Sequence, residues 1–269
     1  MALAVEELSC GYQGRPVVSK VSFSLSAGEV LAVLGPNGVG KTTLFKTVLG
    51  FLKPLAGRVM LEGRDLSELS RRELARLIAY VPQTQSTSFA FPVEEYVLMG
   101  RAPHLGMLKQ PTATDRQIVR DTMLLLGIQG LADKTCTSIS GGELQLVAVA
   151  RALAQQPRYL IMDEPTANLD YGNQARILEQ IIELANKGLG VMLTTHNPEQ
   201  AFTLESRVVL LRRDAPYLEG DFRAILTEAH LNQTYDIDVV LRSFEYQQRE
   251  YTVCRTIPKC RCGEHCDGA

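Results

Sequence analysis

Short apolar runs alternate along the chain with longer stretches in which apolar side chains recur every three or four positions. Val30-Leu31-Ala32-Val33-Leu34, Tyr159 to Met162, Val191 to Thr195 and Val208 to Leu211 are apolar or nearly so throughout. Such runs predict strands covered on both faces, the mark of a parallel sheet sandwiched by helices. Ile177, Leu178, Ile181, Ile182, Leu184 and Ala185 line one face of a predicted helix that Gly188 ends. Ser70-Arg71-Arg72-Glu73 and Thr114-Asp115-Arg116-Gln117 both have capping-box spacing and predict helix starts. The second opens a run with Ile118, Val119, Thr122, Met123, Leu125 and Leu126 near helical spacing, stopped by Gly127. Residues from about 84 to 156 are helix-rich between strand-rich flanks, which predicts a helical subdomain inserted into an α/β core. From about Leu241 the periodicity fades, and residues 241–269 read as a polar, cysteine-bearing extension beyond a core domain of residues 1–240.

Composition narrows the classes. A chain of 269 residues allows one large domain or two modest ones, and a net charge of −2 lacks the basic excess expected of a nucleic-acid binder. No apolar run approaches the ~18–20 residues that span a bilayer. The first residues carry neither a basic region nor a long apolar stretch, so no signal peptide is expected, and the protein is expected in the cytosol.

Gly35-Pro36-Asn37-Gly38-Val39-Gly40-Lys41-Thr42 matches the phosphate-loop pattern in full, between a predicted strand and a helix expected from Thr42 to about Leu52. Glycines let consecutive backbone N–H groups curl around phosphate oxygens, and the helix N-terminus adds positive charge. Lys41 is placed to reach the β- and γ-phosphates, and the Thr42 hydroxyl to ligate Mg²⁺. Gly35, Asn37, Gly38, Gly40 and Thr43 complete the expected cradle for ATP. Tyr159-Leu160-Ile161-Met162-Asp163-Glu164 is an apolar strand ending in two carboxylates, which burial alone would disfavour. Asp163 is expected to hold Mg²⁺, and Glu164 to orient and deprotonate an attacking water. The bland alternative is a strand that simply exits to solvent.

Those two motifs specify an NTPase. The segment between them resembles a narrower class. Ser138-Ile139-Ser140-Gly141-Gly142-Glu143, followed by a helix ending Ala150-Arg151-Ala152-Leu153, resembles the signature motif of ATP-binding-cassette (ABC) proteins. Tyr12, Gln83 after Val81-Pro82, Ala167-Asn168-Leu169-Asp170 and His196 after Thr194-Thr195 fall in that family's order. The resemblance covers roughly residues 3 to 240. It implies an α/β fold: a phosphate-loop NTPase core with a mainly parallel sheet, an antiparallel β subdomain and an inserted helical subdomain. It also implies that Tyr12 stacks on adenine, that Gln83 contacts Mg²⁺ and senses a membrane partner, and that His196 contacts the γ-phosphate. Ser140, Gly141, Gly142 and Asp170 are implied to complete the nucleotide site of a second copy. Each has a plainer reading: strand aromatic, surface amide, core histidine, capped helix. The signature departs from the family at Glu143, where Gln is usual, and at Leu144, where a basic residue is common. Glu is tolerable at a helix N-terminus, so the mechanism is expected to be unaltered; if Glu143 pointed inward, its negative charge near the γ-phosphate would weaken ATP-driven closure.

Glu94-Glu95-Tyr96-Val97-Leu98-Met99-Gly100-Arg101-Ala102-Pro103-His104 and Thr194 to Ala201 are similar to importers of iron chelates, cobalamin and related metal complexes. The resemblance therefore implies a homodimer of ATPase subunits on the inner face of the membrane. It would be joined to a separate permease and, through it, to an extracytoplasmic binding protein, with haem, molybdate or tungstate as other cargoes. A non-transport ATP switch, an exporter cassette and a small-molecule kinase are the competing functions. Cys254, Cys260, Cys262 and Cys266, beside His265, offer ligands for Zn²⁺ or an iron–sulfur cluster, with Arg255, Lys259 and Arg261 expected to keep thiolates ionised. The alternative is a reduced tail of chance cysteines. Cys10 and Cys136 are expected to be structural.

Overall fold

The computed structural model describes residues 2–83, 90–106, 109–213 and 215–257. Two long strands open the chain, β1 (Ala2–Tyr12) and β2 (Arg15–Ser26), followed by the phosphate-loop strand β3 (Val30–Leu34) and α1 (Lys41–Val48). Next come β4 (Ala56–Leu61), β5 (Arg64–Asp65), α2 (Arg71–Leu77) and β6 (Ile78–Val81). Helices α3 (Val93–Leu98), α4 (Ala113–Leu125) and α5 (Gly141–Ala154) lie between β6 and β7 (Tyr159–Met162). Then follow α6 (Tyr171–Asn186), β8 (Gly190–Thr195), α7 (Pro198–Thr203), β9 (Arg207–Leu210) and β10 (Leu218–Asp221). The described chain closes with α8 (Phe222–Ile225), α9 (Glu228–Tyr235), β11 (Asp238–Tyr246) and β12 (Arg249–Ile257).

The central sheet runs β10-β9-β3-β8-β7-β6 and is parallel except for β10. β3, β7 and β8 are buried along their whole lengths, as their unbroken apolar runs require. A separate antiparallel sheet, β2-β1-β4-β5, packs its inward residues (Leu3, Val5, Leu8, Leu25, Leu61) against α1 and one face of the central sheet. The helices between β6 and β7 share the other apolar cluster with α6. In parallel sheets, ligands collect at the carboxyl ends of the strands. Here the register pairs Leu34 with Thr195 and Met162 with Leu193, so Gly35, Asp163 and His196 leave the sheet side by side.

Three local expectations are corrected. α1 ends at Val48 rather than near Leu52, because Gly50 (φ +70°) turns the chain and the N–H groups of Phe51 and Leu52 both reach back to the Lys46 carbonyl. The cap of α4 is Thr112, not Thr114. Asp115 closes the box by accepting from the Thr112 N–H, while the Thr112 hydroxyl accepts from the Asp115 N–H. The chain beyond Leu241 is no featureless tail up to Ile257: β11 and β12 pair in unbroken register from Asp238–Ile257 to Tyr246–Arg249.

The stretch around Met99–His104 is a brace. Arg101 is buried, donates to Asp115 Oδ1 (2.9 Å), and also donates to the Ala154 carbonyl at the end of α5 (2.8 Å). His104 Nε2 lies 2.8 Å from the Gln155 carbonyl. These contacts tie α4 and the 3₁₀ turn to the far end of α5, fixing its direction.

Candidate functional site

The phosphate loop connects a buried strand to a helix whose first turn has no side-chain cap and no acidic residue. Those backbone donors are the kind of group that an anion satisfies. Gly40 sits at φ +111°, and a Cβ there would lie 2.5 Å from Val18 Cγ2, so only glycine fits. Lys41 is 7% exposed, and its Nζ donates to the Gly35 carbonyl (2.6 Å) and lies 4.0 Å from Glu164 Oε1. Burial pushes the Lys41 amine below its ordinary range, opposed by the charges of Glu164 and Asp163. Thr42 is exposed on the first turn, and Asn37, also exposed, is fixed through its carbonyl by Arg213 (3.0 Å). Thr43 is buried and its carbonyl accepts from Thr47. Tyr12, 49% exposed, stands at the tip of the β1–β2 hairpin, and Val17 and Val18 of β2 flank Gly40.

At the end of β7 the chain turns sharply. Asp163 is 6% exposed, and Glu164 adopts φ +44°, a left-handed conformation costing a non-glycine residue about 1 kcal/mol. Three side chains converge on the Glu164 carboxylate. Gln83 donates through Nε2 to Oε2 (2.9 Å), His196 Nδ1 lies 3.5 Å from Oε2, and Lys41 faces Oε1. The catalytic candidates Lys41, Gln83, Glu164 and His196 therefore form one cluster beside Asp163. ATP and Mg²⁺ fit these groups: uncapped backbone donors and an ammonium suit phosphate oxygens, while one carboxylate and one hydroxyl suit a cation that takes its remaining ligands from phosphate and water.

Ser140, Gly141, Gly142 and Asp170 form a second cluster. Ser140 caps α5, accepting from the Glu143 N–H (3.2 Å), while Glu143 Oε2 accepts from the Ser140 N–H (2.7 Å). Asp170 caps α6 and also accepts from the Asn173 amide (2.6 Å). A Cβ at Gly142 would strike Asn173 Nδ2 at 2.4 Å, so the two helix starts meet at that glycine. The Ser140 N–H, donating to Glu143 Oε2, keeps the Glu143 carboxyl below the usual carboxylate range. Glu143 thus points back onto the turn that the signature was expected to offer to a phosphate.

One residue of the first cluster escaped the sequence reading. Thr194, fully buried in β8, donates its hydroxyl to Asp163 Oδ1 (2.6 Å) and accepts from the Glu164 N–H (2.8 Å). Its only signal was a pair of threonines closing an otherwise apolar strand.

The cysteine expectation changes at Cys254. With its cross-strand partner Leu241 it packs against the main core, and its N–H reaches Glu199 (3.3 Å). Burial, then the charge of Glu199, pushes the thiol up to about 11, so neighbouring arginines do not keep it ionised. Cys260, Cys262, His265 and Cys266 lie outside the described residues. Among the described residues no group of three or more His, Cys, Asp or Glu is arranged to hold a metal ion. Cys10 and Cys136 are buried and unpaired.

Known proteins are similar to this chain. Residues 18–167 match the family model described as ABC transporter. The chain is similar to the hemin import ATP-binding protein HmuV of Gloeobacter violaceus, at 41% identity over 85% of each chain. It is 34% identical to the molybdate import ATP-binding protein MolC of Haemophilus influenzae, over 93% of this chain and 94% of that one. Among solved structures, a transporter described as of metal-chelate type, in an inward-facing conformation, superposes with a TM-score of 0.86 at 33% identity, covering 96% of this chain and 98% of that one. The chain belongs to the ABC transporter family, as an ATPase subunit of an importer.

Proposed function

We propose that this subunit drives uptake of a metal chelate, a haem or iron–siderophore complex, through a separate permease at the inner face of the cell membrane. The observation that carries the coupling is the position of Gln83. Its amide holds the Glu164 carboxylate, and it lies two residues past β6, whose Ile78 and Tyr80 line a groove of about 840 Å³. Phe51 stands 62% exposed at the groove, edge-on to Tyr80. An element of another chain seated there would press on β6 and reach the candidate base through one residue. Among the described residues no helix is long and apolar enough to cross a membrane.

The residues then have distinct tasks. Backbone donors of the loop and Lys41 hold the β- and γ-phosphates, and Tyr12 stacks on the base. Thr42 and Asp163 would hold Mg²⁺, which supplies charge neutralisation at the phosphate oxygens. Glu164 accepts the proton of the attacking water, while Gln83 and His196 fix its other oxygen. Ser140 to Gly142 of a second copy close over the γ-phosphate, and two-fold symmetry makes two such sites per dimer. ABC importer ATPases dimerise and work with permease subunits, and here the dimer face is assigned to the Ser140–Asp170 cluster.

Hemin and metal-chelate transport among the similar proteins supports the cargo; the molybdate relative keeps an oxyanion importer as the second reading. Purifying the tagged subunit from its own cells in mild detergent tests both. A multi-helix permease in about equal amount is expected, with loss of haem or siderophore-iron uptake when the gene is deleted. Loss of molybdate uptake instead would move the cargo to the second reading. Ribosomal or DNA-repair partners without a permease would replace transport with an ATP-switched module.

A further inference from the structure

β8 is the strand that separates the candidate base from the phosphate loop, and it ends in two threonines facing opposite sides. Thr194 is 0% exposed and Thr195 2% exposed. Burying a hydroxyl in an apolar strand is unfavourable unless both its hydrogen-bonding roles are met. At Thr194 they are met by the backbone N–H of one carboxylate residue and the side chain of the other. The chain of bonds runs from the Glu164 N–H to Thr194 Oγ1 and on to Asp163 Oδ1. A short valine would fill the same volume without that demand, so packing alone does not account for threonine.

Thr195 reaches the same turn from its other end. Its hydroxyl donates to Gln200 Oε1 (2.8 Å) and accepts from the Asn197 N–H (3.0 Å). Gln200 is 7% exposed, and its Nε2 donates to Thr166 Oγ1 (2.8 Å), two residues past Glu164. The turn that carries Glu164 in its left-handed conformation is therefore tied to β8 on both sides, at Asp163–Glu164 and at Thr166. His196 is the next residue of the tying strand.

We propose that Thr194 is a positioning residue for ATP hydrolysis, seconded by the Thr195–Gln200–Thr166 link: it sets the Asp163 and Glu164 carboxylates relative to each other and to His196. The inference rests on Glu164 acting as the base. Residues that orient a catalytic group, without touching substrate, are worth about 10- to 100-fold when removed. The left-handed Glu164 makes the effect specific, since a strained residue holds its conformation only while its surroundings over-determine it.

The test uses the full chain. Thr194→Val is expected to lower kcat by about 10- to 100-fold while the KM for ATP changes by less than about threefold, and Thr194→Ser to restore kcat. In the Glu164→Gln background Thr194→Val is expected to cause a smaller further loss than in the wild type, because one of the two carboxylates it positions is gone and only Asp163 remains. Binding of a fluorescent ATP analogue, titrated with Mg²⁺, supplies a readout independent of turnover: Thr194→Val should raise the Mg²⁺ concentration for half-saturation, and Thr194→Ser should not. Gln200→Met is expected to give a smaller loss of kcat in the same direction. Thr194→Ala takes the place of the valine variant if that variant does not fold. Wild-type kcat in Thr194→Val, or an equal further loss in the Glu164→Gln background with a lowered unfolding midpoint, would overturn the inference. Near-normal turnover in Glu164→Gln alone would instead overturn the base assignment on which it rests.

Discussion

Two helices begin at glycine-bearing turns suited to phosphate, and they are finished differently. α1 starts at Gly40 with no side chain on its first-turn donors. α5 starts at Ser140 inside a closed capping box, with the Glu143 carboxylate on the Ser140 N–H. The first is a half-site complete within one chain, its donors free to turn to a phosphate. The second is satisfied by its own chain, and a phosphate must compete with an ionised carboxylate there. The difference teaches which half is permanent. On the proposed function, nucleotide capture would belong to the phosphate loop of a single subunit, and closure to a surface that exchanges an internal hydrogen bond for one across the dimer.

The largest expected effect comes from disturbing the permanent half. Gly40→Val places a side chain against Val18 in a left-handed conformation and should weaken ATP binding about 100-fold or more, read by fluorescence titration. Gly141, with nothing within 4 Å of a built Cβ, gives the contrast: Gly141→Ala should leave ATP affinity of the single subunit unchanged. Equal losses at both positions would erase the distinction.

A middle-sized effect sharpens it. Glu143→Gln removes the charge from the signature turn but keeps a hydrogen-bond acceptor for the Ser140 N–H. In a hydrolysis-blocked Glu164→Gln background it should tighten ATP-dependent dimerisation about 3- to 10-fold, measured by sedimentation across ATP concentrations. A weaker dimer would mean that Glu143 helps closure rather than opposing it.

The smallest effect concerns stability. Ser140→Ala opens the capping box and should cost about 1 kcal/mol in denaturant unfolding. ATP affinity of the single subunit should stay as it was. A cost near zero would mean that α5 is held by its burial and by the Arg101 brace alone.

The elements around the phosphate site were legible because burial on both faces leaves an unmistakable run: β3, β7 and β8 stand where Val30–Leu34, Tyr159–Met162 and Val191–Thr195 predicted them. The phosphate loop was legible because its glycines, Lys41 and Thr42 are contiguous. Thr194 was not, since its partners are 30 and 31 residues away and threonine is an ordinary strand residue. The β11–β12 hairpin was hidden for another reason. Its turn uses Gln247 and Gln248, both in the left-handed region, where asparagine and glycine are the usual signal. Its outer face carries Phe244, Tyr246 and Tyr251 exposed beside arginines, so it shows no polar-out alternation.

The central claim is that each hydrolytic site joins the phosphate loop of one subunit to the signature of another. Ser140→Arg in the Glu164→Gln background tests it most directly, with ATP binding and molecular mass measured on the same sample. ATP binding equal to that of the parent, with the protein remaining a monomer at ATP concentrations that dimerise the parent, is the result the account predicts. An unchanged ATP-bound dimer, or loss of ATP binding by the monomer, would contradict it.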